Sequence, residues 1–170
     1  MVILPETAVV EFGDTVIFNC SVQGGPNITY QWQRNEIDLP DETLDDLIIP
    51  DVGVEDGGNY TCIVRNAAGS DNSTSMLLVV PTITIQPVDQ QVVNGSIANF
   101  TCEAESFPDP EYTWEKYNDE NGSFNSITSG SVLQFMPATF GNEGTYRCVA
   151  SLPGTNRSVT SRPAVLAGKH

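Results

Sequence analysis

The side chains with which this 170-residue chain could do chemistry are one histidine, four cysteines, and 22 Asp and Glu set against seven Lys and Arg. A serine or cysteine nucleophile needs a base beside it, and the only histidine is His170, the last residue. Acid pairs such as Glu103 and Glu105 share one strand face, but it is the outward face, where they are ordinary solvated carboxylates. There is no C-x-x-C and no usable histidine for zinc, and the glycines fall in turns rather than in a phosphate-cradling loop. No catalytic residue, metal ligand or cofactor is therefore assigned. A formal charge of −15 and a pI near 4.1 exclude nucleic acid, heparin and anionic membranes as partners, since each needs a basic patch.

The chemistry that is over-supplied is that of carbohydrate attachment. Asn-x-Ser/Thr triplets start at Asn19, Asn27, Asn59, Asn72, Asn94, Asn99, Asn121 and Asn156. The content of Asn, Ser and Thr predicts only about two by chance. Asn19 adjoins Cys20, while Asn59 and Asn99 each lie three residues before a cysteine, so strand parity turns all three outward. N-linked glycans are expected, and with them a secretory, extracellular location. Acidic residues cluster at Glu36, Asp38, Asp41, Glu42, Asp45 and Asp46. A calcium site there would need converging carboxylates, and no D-x-D-x-D-G loop occurs, so the cluster is read as a solvated edge that discourages strand-to-strand aggregation.

The elements that hold these residues are built twice. The order Cys20, Trp32, Cys62 recurs as Cys102, Trp114, Cys148, with displacements of 82, 82 and 86 residues. Domains are expected at 1–80 and 81–167, the boundary falling near Val80-Pro81-Thr82, where a strand-like run meets a proline that cannot continue a central ladder. Gly168-Lys169-His170 has the look of a tag remnant, and Met1-Val-Ile-Leu-Pro5 has neither the basic nor the apolar region of a secretory leader. Apolar runs such as Met76-Leu-Leu-Val-Val80 fall far short of the roughly 20 residues of a membrane span. Within each half the apolar period is two: Phe18, Cys20, Tyr60, Cys62 and Val64 fall on one face of two strands. Turn clusters interrupt these strands at short intervals and no amphipathic helix of three turns is present, so all-β sandwiches are expected.

In unit one the residues Leu47, Ile49, Val52, Asp56, Gly58, Tyr60 and Cys62 are followed by Asn66-Ala-Ala-Gly69, and in unit two by their counterparts Leu133, Phe135, Ala138, Asn142, Gly144, Tyr146 and Cys148. With the tryptophans, this pattern resembles tandem I-set-like domains of the immunoglobulin superfamily across essentially the whole chain. The resemblance implies two Greek-key sandwiches, each with one inter-sheet disulfide (Cys20 to Cys62, Cys102 to Cys148). Trp32, Tyr60, Trp114 and Tyr146 would lie in the cores. Unit two departs from the pattern at Asn142, where aspartate is usual, and at Val149-Ala-Ser-Leu-Pro-Gly154, which lacks the Asn-x-x-Gly turn.

The resemblance also implies a protein-binding module of a cell-surface adhesion or recognition receptor, acting by homophilic or heterophilic contact and membrane-anchored in its full length. A receptor tyrosine kinase or phosphatase ectodomain, or spacer modules of a secreted matrix protein, are the alternatives. Parity from Trp32 and Cys62 turns Gln31, Gln33, Ile63 and Arg65 outward, an apolar residue and a scarce arginine among neutral amides, which marks them as a partner-contact face.

Overall fold

A computed structural model describes residues 2–169. The chain divides into two compact units, residues 1–80 and 81–170. Unit 1 contains β1 (Val2–Leu4), β2 (Thr7–Val10), β3 (Val16–Ser21), β4 (Thr29–Arg34), β5 (Ile37–Asp38), β6 (Asp46–Ile49), β7 (Gly58–Asn66) and most of β8 (Gly69–Ile85). One sheet is β1-β3-β6 and the other runs β8-β7-β4-β5, with β2 added in parallel on β8. No strand lies between β5 and β6, because the short stretch from Trp32 to Leu47 has no room for one.

Alternation makes the sandwich. Along β3, residues Val16, Phe18 and Cys20 are buried while the residues between them are exposed. The Cys20–Cys62 disulfide ties β3 to β7 across the two sheets. Trp32, fully buried, is directly opposite Cys62, and Phe18 stacks on Tyr60 with ring centroids 5.3 Å apart. Closing a loop of 42 residues is worth about 4 kcal/mol on the loop-entropy model.

Unit 2 repeats the plan with β9 (Gln90–Val92), β10 (Ala98–Thr101), β11 (Glu103–Phe107), β12 (Glu111–Asn118), β13 (Ser123–Ser129), β14 (Val132–Phe135), β15 (Gly144–Ser151), β16 (Ser158–Thr160) and β17 (Ala164–Gly168). Its larger sheet is β13-β12-β15-β17-β9, with β16 also on β15, and β10 pairs with β14 in the smaller one. Cys102–Cys148 joins the sheets, and Phe100 lies 6.1 Å from Trp114 and 5.5 Å from Tyr146. Asn118 to Gly122 turns the β12–β13 hairpin, Gly122 donating to the Asn118 carbonyl at 2.9 Å.

Two details differ from the sequence reading. The strand does not end at Pro81: β8 runs on to Ile85. Its pairing with β2 stops at Val79 and with β7 at Leu77, so the missing proline amide removes no bond from either ladder. At the far end, Gly168 pairs with Val92 and the Lys169 amide donates to the Val92 carbonyl at 2.8 Å, so the last strand takes in Gly168, the first of the three residues set aside as a tag remnant. His170 lies outside the described residues.

Candidate partner-contact face

Both cores close at a corner built by different residues. In unit 1 the Asp56 carboxylate accepts from the Gly53 amide at 2.9 Å, and the Tyr60 hydroxyl donates to the Asp56 carbonyl at 2.7 Å. In unit 2 the Asn142 side-chain oxygen accepts from the Thr139 amide at 2.8 Å and from its hydroxyl at 2.9 Å, while the Tyr146 hydroxyl donates to the Asn142 carbonyl. An amide oxygen does the work of a carboxylate there, which is why the departure at Asn142 leaves the fold intact. Burial raises the Tyr60 hydroxyl, with Arg34 pulling it down and Asp56 pushing it up more weakly, and pushes the Tyr146 hydroxyl up to about 12. The tryptophans differ: the Trp32 indole donates to the Leu44 carbonyl at 2.9 Å, and that of Trp114 finds no protein acceptor.

The four residues assigned to a contact face are brought together on the outer face of β4 and β7, where Gln31 is opposite Ile63 and Thr29 opposite Arg65. Gln31, Ile63 and Arg65 border a shallow depression of about 160 Å³ with Thr29 and Asp38. The amides are already engaged: Gln31 donates to the Trp32 and Leu39 carbonyls at 2.9 Å each, and Gln33 to Asp38 at 2.8 Å. Arg65 is exposed and forms no ion pair among the described residues, whereas Arg147 of unit 2 binds Glu115 at 2.6 Å and lies over the Phe124 ring at 3.9 Å. Ile63 and Arg65 are thus the groups of this face free to meet a partner.

All eight triplet asparagines are exposed. Asn19 faces out from β3, its amide donating to Asp46 at 2.6 Å, and Asn99 faces out from β10. Asn27, Asn94, Asn121 and Asn156 lie on connecting loops. Asn59 and Asn72 are on strands, on the same outer face as the contact residues; strand parity already turns Asn59 outward, whereas Asn72 is placed there by the β7–β8 register. Asn72 is directly opposite Ile63, and the two triplet threonines, Thr61 and Thr74, bond each other at 2.8 Å. The signal was available: Asn66 pairs with Gly69 around a two-residue turn, which fixes the β7–β8 register. The acidic residues from Glu36 to Asp46 do not converge. Among the described residues no three His, Cys, Asp or Glu side chains stand together as metal ligands.

Family profiles described as Immunoglobulin domain match residues 1–80 and 80–151. The chain belongs to the immunoglobulin superfamily. The second match stops at the end of β15, within the stretch from Val149 to Gly154 that departs from the usual pattern. Protein sidekick-2 of Gallus gallus is 31% identical over 172 residues, covering 91% of this chain and 8% of that protein. Among solved structures, the N-terminal four immunoglobulin domains of Dscam1 isoform 8.4 superpose with a TM-score of 0.71 at 25% identity, over 96% of this chain and 43% of that one. A chain from the complex of Dpr2 Ig1-Ig2 with DIP-Theta Ig1-Ig3 superposes with a TM-score of 0.64 at 22% identity, over 96% of this chain and 64% of that one, and shows the fold alone. The immunoglobulin pair thus spans a small part of such a relative.

Proposed function

We propose that this immunoglobulin pair is an extracellular protein-recognition module of a cell-surface adhesion or recognition receptor, membrane-anchored in its full length and acting by contact with a protein partner rather than by catalysis. The observation that carries the reading is the outer face of β4 and β7, where Ile63 and the unpaired Arg65 border one depression. An apolar residue beside an uncommitted arginine is the composition of a contact core rather than of a solvated face. Two disulfides and eight exposed glycan acceptors support the secretory compartment. One solved neighbour of this fold is a chain of a complex between two immunoglobulin proteins, Dpr2 Ig1-Ig2 and DIP-Theta Ig1-Ig3.

Sedimentation velocity on the chain freed of N-linked glycans, from micromolar to near-millimolar concentration, tests the homophilic form. Reversible, concentration-dependent dimers that disappear in Ile63→Asp/Arg65→Glu, at unchanged melting temperature, are the expected result. Dimers unaffected by the double change remove this face, and a monomer throughout moves the reading to a heterophilic partner. Added Ca²⁺ is expected to change nothing, because the acidic residues do not converge.

A further inference from the structure

The contact residues and two glycan acceptors occupy one sheet face. Asn72 is opposite Ile63 on the antiparallel β7–β8 ladder, and Ile63 is in turn opposite Gln31 on β4, so the three residues form one row across the sheet. At a strand spacing of about 4.8 Å, Ile63 lies one strand from Asn72, and Gln31 about 10 Å away. That the row points outward is shown by its neighbours: Thr61 and Thr74 bond each other at 2.8 Å in the next row, and Val64, beside Ile63, is buried. Asn59 stands on the same face, four residues along β7 from Ile63, or about 13 Å at strand rise.

We infer that glycosylation of Asn72 gates the recognition face by covering Ile63, so that the module exists in an open and a shielded form set by occupancy of this one acceptor. The inference rests on the functional reading of that face. Attachment forms a bond from the Asn72 side-chain nitrogen to C1 of a lipid-pyrophosphate-linked oligosaccharide. The C1–oxygen bond to pyrophosphate breaks, the lipid pyrophosphate leaves, and the amide gives up one proton. A sugar so attached stands over the adjoining strand, and Ile63, lacking a polar handle, has no means of projecting past it.

The test compares the chain secreted from a glycosylating host with its Asn72→Gln, Thr74→Val and Thr74→Ser variants. Glycopeptide mass spectrometry gives occupancy at Asn72, and photolabelling with a water-soluble diazirine gives the accessibility of Ile63. Expected are an occupied Asn72, Ile63 labelling several-fold higher in Asn72→Gln and Thr74→Val, and parent-like labelling in Thr74→Ser, which keeps the acceptor triplet. An unoccupied Asn72, or equal labelling of Ile63 in all four proteins, overturns the inference. Failure of the contact reading looks different: Ile63 is unmasked in Asn72→Gln, yet adding Ile63→Asp to that variant alters no association.

Discussion

Single residues in the two cores make different demands although their positions correspond. Replacing Trp32 by phenylalanine removes the bond to the Leu44 carbonyl, whereas Trp114→Phe removes volume alone, since its indole has no protein acceptor. Trp32→Phe is therefore expected to destabilise its unit by about 1 kcal/mol more than Trp114→Phe does. Hydrogen exchange of β7 and β15 peptides in the intact chain measures each unit separately. The tyrosines give a pH dependence. Tyr146 keeps its proton in the folded state up to about 12, above the ordinary value of 10.0, so the unfolded chain ionises first. Stability from this residue is full below pH 10 and is lost as pH climbs from there toward about 12. Tyr146→Phe, less stable at neutral pH by about 1 kcal/mol for the lost hydroxyl bond, is expected to flatten that decline in alkaline melts.

At the scale of elements, the corner before β7 and before β15 is set by geometry rather than by residue type. Asp56→Asn and Asn142→Asp keep an oxygen acceptor and are expected to change stability by less than about 0.5 kcal/mol, while alanine at either position costs about 1 kcal/mol or more by chemical denaturation. The glycine two residues before each corner tyrosine is less negotiable. Gly58 has φ +147° and a Cβ there would fall 2.7 Å from the Asn35 side-chain oxygen; Gly144 has φ +145° and its Cβ would fall 2.7 Å from Lys116 Cε. Alanine at Gly58 is expected to cost about 1–3 kcal/mol, read as a lowered melting temperature.

Much of this was legible in the chain. Cys20, Trp32, Tyr60 and their repeats are fixed by period-two burial, which a sequence displays directly. Pairing between strands is less visible, because it depends on turn length. Asn66-Ala-Ala-Gly69 marks a turn, but only its two-residue length, with Asn66 opposite Gly69, sets Asn72 beside Ile63. Likewise the passage of β8 through Pro81 depends on where its partners stop, which no local pattern records.

For the molecule as a whole, charge decides how any contact responds to salt. Residues 1–80 carry 13 acids and two bases, and residues 81–170 nine acids and five bases. Two copies of a chain with net charge −15 repel one another, so self-association is expected to strengthen as ionic strength rises. Binding to a basic partner is expected to weaken over the same range. A salt titration over about 0.01–1 M therefore separates self-association from binding to a basic partner independently of any substitution.

The disulfides also set how the chain yields to force. Cys20–Cys62 and Cys102–Cys148 bridge sequence separations of 42 and 46, and the chain between them cannot be drawn out while the bonds are intact. At roughly 3.5 Å per extended residue, each bond withholds about 150 Å of contour length. A pull applied through the ends can then strip only the segments outside the bridges, so an oxidised unit acts as a short tether where a reduced one would become a long slack line.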